Sequence, residues 1–307
     1  MSRAVMYETF GGPEVLEVRE VPEPHAGAGE VRVRVAAVGL NPMDWVLSSR
    51  PEMAERFGVT LPSGFAADFA GTVDEVGEGV SGFAVGDRVH GSATGRAAAD
   101  FVVIAPDSAR TLLRTPAEID DRVASTLPVA GLTAAAALAA IGVRAGDTVL
   151  IGGAAGGVGV FAVQLARLAG ARVIGTASEG TFDFLRRLGA DPVAYGPGLE
   201  ERVRAMAPEG VSGAADLHGT ETVEAALALG VPPERISTIA AGPGQAGGVR
   251  ATGGFDADPR DLERISEAVV AGEITVPIHA TYPVEEIREA VRVQADRHVH
   301  GKIVVDL

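Results

Sequence analysis

Apolar and polar residues alternate with period two over two stretches near the start of the chain, VLEVREVPEP (Val15 to Pro24) and EVRVRVAAVGL (Glu30 to Leu40). Alternation places every second side chain on one face, which predicts half-buried strands. GTVDEVGEGV from Gly71, FAVGDRVH from Phe83 and FVVIAP from Phe101 to Pro106 are shorter runs of the same kind, broken by glycine turns. Many short strands with few helices predict a barrel-like β domain.

The pattern then changes. PAEIDDRVASTLPVAGLTAAAALAAIG is helical in character, and strands and helices alternate after it. DTVLIGG, ARVIGTAS, DPVAYG, GAADLHG, RISTIAA and GVRATGG read as strands. GVGVFAVQLARLAG, TFDFLRRLGA, LEERVRAMAP and ETVEAALALG read as helices between them. Strand–helix alternation at this spacing predicts a doubly wound parallel sheet. Two amphipathic helices, PRDLERISEAVVAGEI and PVEEIREAVRVQAD, and a last strand, GKIVVDL, close the chain. The expected fold is α/β: a β domain over residues 1–115, an inserted parallel-sheet domain over 116–256, and a segment 257–307 returning to the first domain.

IGGAAGGVG (Ile151 to Gly159) lies between a predicted strand and a predicted helix, the context that a dinucleotide fingerprint requires. Gly156 and Gly157 let backbone N–H groups approach a pyrophosphate, and Gly159 lets the helix pack close to the strand. The helix N-terminus favours the negative charge. Ala154 stands where the generic fingerprint has its first glycine. The second strand ends in Thr176-Ala177-Ser178, without the acid that usually binds a ribose 2′-hydroxyl. Small residues there leave room for a 2′-phosphate, so NADP(H) is expected over NAD(H); Glu179, the next residue, opposes that choice.

Composition removes several alternatives. The chain of 307 residues carries 41 acidic and 26 basic residues, for a net charge of −15. Such a field repels phosphate, so neither nucleic acid nor an anionic membrane is an expected partner. The most apolar segment, Val123 to Val143, is rich in alanine and contains Pro128, which reads as a loop and a buried helix. MSRAVMYETF lacks an apolar signal core, and a cytoplasmic location is expected. There is no cysteine, which excludes disulfides, thiolate nucleophiles and cysteine-ligated zinc. Lys302 is the only lysine, and its place in the terminal strand argues against a role as an acid.

AAGGVG, followed by QLARLAGARVIGTAS and LRRLGAD, resembles the medium-chain dehydrogenase/reductase superfamily. It is most similar to the zinc-independent quinone oxidoreductase and enoyl reductase branch. Asn41-Pro42-Met43-Asp44 matches that branch's N-P-x-D, and LPSGFAADFAGTVDEVG, GFAVGDRV, LPVAGLTA and HGKIVVDL match further blocks along nearly the whole chain. The resemblance implies a GroES-like β-barrel domain, a Rossmann domain and a cleft between them. It implies NADPH and hydride transfer to a quinone or an activated C=C. Carried over by position, Asn41 and Thr133 would line the nicotinamide end and take the catalytic roles. Ala155, Gly156, Gly157 and Val158 would hold the pyrophosphate and Ser178 the 2′-phosphate. Thr238, Ile239 and Ala240 would flank the nicotinamide, and Arg297 would be a basic cofactor contact. A homodimer paired through GVRATGG is also implied.

The departures matter. Phe182 replaces a lysine often found four residues after the Ser178 position, and Ala134 to Ala137 follow LPVAGLTA where an aromatic residue is common. GFAAD stands where zinc relatives have Gly-His-Glu, and His25, His90, His218, His279, His298 and His300 show no metal-ligand spacing, so no metal is expected. His298 and His300 read as a surface pair on a strand. His218, at a strand end, is placed to reach the nucleotide crevice. Asp44 is open between a polar cleft residue and a turn former, and Asp68 between function and structure.

Reduction of a conjugated C=C needs hydride at the β-carbon, an electrophilic contact on the carbonyl oxygen and later a proton at the α-carbon. Asn41 or a backbone N–H could polarise that carbonyl; catalysis would otherwise rest on positioning. Three functions fit: a quinone or enone reductase, a tailoring enoyl reductase of secondary metabolism, and an NADPH-binding sensor without turnover.

Overall fold

The alternating segments at the start of the chain pair as antiparallel strands. In chain order they are β1 (Ser2–Tyr7), β2 (Glu17–Val21), β3 (Val31–Gly39), β4 (Ser63–Gly64), β5 (Asp68–Val76), β6 (Arg88–Ser92), β7 (Phe101–Ile104) and β8 (Leu113–Arg114). α1 (Pro42–Ser49) and α2 (Pro51–Arg56) sit between β3 and β4, and α3 (Asp121–Ala124) follows β8. Next come α4 (Pro128–Ala140), β9 (Thr148–Gly152), α5 (Gly159–Leu168), β10 (Arg172–Ala177), α6 (Phe182–Leu188) and β11 (Asp191–Ala194). α7 (Leu199–Met206), β12 (Gly213–Asp216), α8 (Glu221–Ala228), β13 (Ile236–Thr238) and β14 (Arg250–Ala251) continue the alternation. α9 (Asp261–Val270), β15 (Ile278–Pro283), α10 (Ile287–Ala295) and β16 (Lys302–Asp306) complete it. The computed structural model describes residues 1–106, 112–240 and 248–307.

The chain divides into two compact units, one of Met1–Val129, Leu262–Val270 and Ile278–Leu307, the other of Ala130–Asp261 and Ala271–Pro277. Among the described residues the first unit holds a small sheet, β2-β1-β4, and a larger one, β15-β16-β3-β5-β6-β8, with β7 also paired to β3. The β3 alternation has its expected effect: Val31, Val33 and Val35 are buried with Phe69, Val73 and Val89, while Arg34 is exposed. Arg32 breaks the pattern. It is buried too, because Asp74 and Glu23 each accept from its guanidinium at 2.9 Å. The second unit holds the sheet β11-β10-β9-β12-β13-β14, in which every pair is parallel. Counted within the unit that order is 3-2-1-4-5-6, the doubly wound dinucleotide-binding arrangement.

Two local readings change. Asn41 to Asp44 does not form an isolated turn. It opens α1, with Pro42 at the first helical position and the Asp44 carboxylate accepting from the Asn41 backbone N–H at 2.7 Å. His298 and His300 lie ahead of β16, not on a strand; the His300 ring instead meets the His279 ring edge-on, with centroids 6.2 Å apart.

His90 on β6 is fully buried between Thr115 (Oγ1 at 3.0 Å from Nδ1) and Ser266 of α9 (Oγ at 3.4 Å from Nε2). Burial, aided by Arg88, pushes its pKa down to about 4. The unfolded chain therefore binds this proton more tightly than the folded one. The stability contribution is complete above about pH 6.5 and is lost as pH falls toward 4. The loss expected from this group is about 3 kcal/mol. Urea unfolding at stepped pH should show a shallower acid-side decline for His90→Asn than for the wild type; equal declines would remove His90 as the cause.

Candidate functional site

In the second unit the strand C-termini form one row. Strand register sets Val193 of β11 beside Thr176 of β10, Gly152 of β9 beside Asp216 of β12, Asp216 beside Thr238 of β13, and Thr238 beside Ala251 of β14. The glycine loop leaves β9 at the centre of this row, where the strand order reverses, which is where open α/β sheets bind ligands. Gly153 has φ +66°, and its N–H donates to Thr176 Oγ1 at 3.0 Å. The Ala154 N–H reaches Thr176 O at 3.3 Å, so β10 holds the start of the loop.

Ala154 has a packing explanation. It is fully buried, and a Cβ added to Gly175 of β10 would lie 2.9 Å from the Ala154 methyl. The methyl occupies the space above a glycine on the neighbouring strand. Gly159 has no such freedom: a Cβ there would lie 2.3 Å from Gly153 O and 2.5 Å from Ala154 O. At Gly156 only Gly153 O lies within reach of an added Cβ, at 3.4 Å. The loop is thus closed on the α5 side and open at Gly156. Those features fit a pyrophosphate held by Ala155, Gly156, Gly157 and Val158.

The flanking residues are ordered by hydrogen bonds. Asp216 is buried; its Oδ2 accepts from Thr238 Oγ1 at 2.8 Å and its Oδ1 from the Gly219 N–H at 3.1 Å. Burial raises its pKa against those bonds. Thr238 Oγ1 also accepts from the Ala240 N–H at 3.3 Å, and the Ile239 N–H donates to Asp216 O at 3.0 Å, so Thr238, Ile239 and Ala240 are tied to the end of β12. His218 does lie against the loop: a Cβ on Gly153 would be 3.0 Å from its Cβ. Thr133 Oγ1 on α4 would lie 3.2 Å from a Cβ on Gly254, just after β14. Ser178 is exposed past the end of β10, its hydroxyl paired with Thr181 Oγ1 at 2.8 Å. Tyr195, 58% exposed, follows Ala194, which pairs with Ala177. Ser178 and Tyr195 are thus the residues that follow the last paired positions of β10 and β11.

Asn41 and Arg297 belong to the first unit. Arg297 is exposed in the left-handed conformation (φ 58°) after α10. Asn41 is 3% exposed and sits at the centre of a buried polar cluster. Lys302 Nζ donates to Asn41 Oδ1 at 2.6 Å and to Leu40 O at 2.9 Å. Asn41 Nδ2 donates to Asp68 Oδ2 at 2.8 Å and to Gly39 O at 3.3 Å. Asp68 also accepts from the Val129 N–H at 3.0 Å. Asp44 completes the cluster through the Asn41 N–H. Burial pushes Asp44 up to about 7 and Asp68 up to about 6, the latter opposed by the Lys302 charge; burial lowers Lys302.

Lys302 is the functional candidate that sequence position concealed. β16 runs antiparallel to β3 with Val304 opposite Gly39, and this register delivers Lys302 to Leu40 and Asn41. Among the described residues no three His, Asp or Glu side chains could together hold a metal ion. No described helix is long and apolar enough to cross a membrane.

Comparison with known proteins agrees with this geometry. Residues 27–106 match the alcohol dehydrogenase GroES-like domain, and residues 188–305 the zinc-binding dehydrogenase family. A chloroplastic quinone-oxidoreductase of Triphysaria versicolor is 38% identical over 206 residues, which is 63% of this chain and 60% of the relative's length. Three solved structures superpose over nearly all of both chains. An NAD-dependent alcohol dehydrogenase has TM-score 0.87 at 30% identity, covering 99% of each chain. A mycobacterial protein complexed with NADPH has TM-score 0.84 at 27% identity, covering 100% of each. The CurK enoyl reductase has TM-score 0.87 at 27% identity, covering 99% of each.

Proposed function

This chain belongs to the medium-chain dehydrogenase/reductase superfamily, in its quinone oxidoreductase and enoyl reductase branch, and we propose that it is a zinc-independent reductase passing hydride from NADPH to a quinone or an activated C=C. The observation that carries this reading is the glycine loop at the reversal point of the parallel sheet, closed at Gly159 and open at Gly156. When bound, the reduced nicotinamide supplies the hydride. The chain's own residues bind and orient: Ala155 to Val158 at the pyrophosphate, Ser178 and Tyr195 at the adenosine end, and Thr133 and Thr238 to Ala240 at the nicotinamide end. Both N–H groups of the Asn41 amide face internal acceptors. Polarisation of a substrate carbonyl then falls to a backbone N–H, and rate enhancement rests on positioning.

Loss of absorbance at 340 nm with quinones, enones and enoyl thioesters tests the reaction. NADPH is expected to be used with at least roughly ten-fold higher kcat/KM than NADH. Equal use of the two would overturn the cofactor choice. Binding without oxidation across the whole panel would leave a sensor. Enoyl thioesters belong in the panel because the CurK enoyl reductase superposes so closely.

Glu179 is exposed immediately after Ser178 and repels a 2′-phosphate. Glu179→Gln is expected to raise the NADPH-to-NADH preference roughly threefold to tenfold. An unchanged ratio would place the phosphate elsewhere. Among the described residues β14 is the last strand of the parallel sheet and both its residues are exposed, which supports a homodimer; a monomer mass in solution would exclude it.

A further inference from the structure

We propose that Arg202 and Glu221 are positioning residues that clamp the turn after β11 and hold Tyr195 as a fixed aromatic surface for the adenosine half of NADPH. This rests on the reading that the second unit binds NADPH with Tyr195 at the adenosine end. Tyr195 is the first residue past β11 and, though large and aromatic, is exposed. The chain leaves it through Gly196-Pro197-Gly198, in which both glycines are left-handed, with φ +94° and +82°. Glycine allows this sharp exit, but its conformational freedom does nothing to hold Tyr195 still. Order must come from contacts made by other elements.

Two side chains supply it. Arg202, in the first turn of α7, reaches back to the loop. Its Nε and Nη2 donate to Ala194 O at 3.1 and 2.8 Å, its Nη2 also to Gly196 O at 2.8 Å, and its Nη1 to Pro197 O at 2.8 Å. These are four donations from one rigid planar fork, all to carbonyl oxygens of a single turn, and a lysine has no such fork. From a different helix Glu221, the first residue of α8, accepts from the Gly196 N–H at 2.6 Å, a charge-assisted bond. Ala194 O belongs to the peptide plane before Tyr195, and the Gly196 N–H to the plane after it. Holding both planes holds φ and ψ of Tyr195, and with them the direction of its Cα–Cβ bond. Both clamps grip backbone and leave the residue between them exposed. An aromatic ring on an ordered mount offers a nucleobase a stacking face at little further cost in entropy. Ala194, Tyr195, Gly196, Arg202 and Glu221 all lie in the second unit, so the clamp is complete within it.

The probe is 2′,5′-ADP, the adenosine half of NADPH, titrated by calorimetry into the whole chain. Tyr195→Ala is expected to weaken its binding roughly ten-fold. Arg202→Met removes all four donations and is expected to weaken binding roughly three-fold to ten-fold, with Arg202→Lys failing to restore it. Glu221→Ala is expected to weaken binding roughly three-fold, whereas Glu221→Gln, which keeps an acceptor, should stay close to wild type. The decisive comparison repeats Arg202→Met in the Tyr195→Ala background. A residue that acts through Tyr195 has nothing left to position there, so the further loss should be less than about two-fold. Equal losses in the two backgrounds would mean that Arg202 supports the fold or attracts phosphate by its charge, and would overturn the proposal. Wild-type affinity in both Arg202→Met and Glu221→Ala would overturn it too. Should Arg202→Met fail to fold, Glu221→Ala carries the same comparison. Binding of 2′,5′-ADP that is lost in Gly156→Val but unchanged in Tyr195→Ala overturns this inference and leaves the reductase reading standing. The expected coupling without oxidation of NADPH by any quinone or enone overturns the proposed reaction and leaves this inference standing. Absence of NADPH binding by wild type overturns both.

Discussion

Gly159→Ala is expected to abolish measurable NADPH binding and to lower thermal stability, whereas Gly156→Val is expected to abolish binding alone. The added Cβ at position 159 would lie 2.3 Å and 2.5 Å from two backbone oxygens, those of Gly153 and Ala154. Neither can move aside as a flexible side chain would. Gly153 is held by Thr176 Oγ1, and Ala154 is buried against Gly175. Relief must come from lifting α5 away from β9, which exposes Val160, Phe161 and Val163, all fully buried. Disruption of a packed helix–strand contact costs on the order of 2–5 kcal/mol. At position 156 the nearest atom to an added Cβ is 3.4 Å away, so the folded loop accepts a side chain. That side chain occupies the space through which a pyrophosphate would meet the backbone. Affinity should fall by at least roughly a hundred-fold, equivalent to about 2.7 kcal/mol. Calorimetry of both variants with NADPH titration separates the effects. A Gly156→Val protein that binds NADPH like the wild type would show that the loop is not the pyrophosphate cradle.

The same loop shows how far the sequence could be read. The element order was legible because buried parallel strands and amphipathic helices carry different periods: VLI of β9 is an unbroken apolar run, VFAVQLARL is spaced for a helix. Ala154 was not legible as a packing residue, because its partner, Gly175, lies on the next strand. Nor was the cluster around Asn41. Lys302 is 261 positions from Asn41, and only the antiparallel register of β16 on β3 joins them. β15 alternates with the period of a strand, yet its six residues hold a histidine, a proline and no long apolar run, so it does not stand out from the loops around it. Local periodicity reveals elements; the side chains that meet across strands depend on register, which no single window of sequence contains.

Asp68→Asn is expected to destabilise the protein by about 3–5 kcal/mol at pH 7, the usual cost of leaving one charge of a buried pair uncompensated. The substitution keeps shape and removes charge. Lys302 would remain 2% exposed, with Asp44 as the other nearby carboxylate. Asp44 is the weaker counter-charge, because burial raises it to about 7 and leaves it only partly ionised at neutral pH. Burial already lowers Lys302 in the wild type, opposed first by Asp68. Without Asp68 the folded protein holds the Lys302 proton less tightly still, while the unfolded chain holds it as an ordinary lysine. The unfolded state then binds more protons, so stability must rise with pH as the folded-state ammonium is relieved of its charge. The deficit of Asp68→Asn relative to wild type should therefore shrink between pH 7 and pH 9. Adding Lys302→Met to Asp68→Asn removes the stranded charge and should restore most of the loss at pH 7, since a neutral packed pair often equals a buried ion pair in stability. Urea unfolding of the three proteins at both pH values decides the matter. A deficit that is independent of pH, or that survives in the double variant, would mean that Asp68 stabilises the fold through its bonds to Val129 and Asn41 and not through the Lys302 charge.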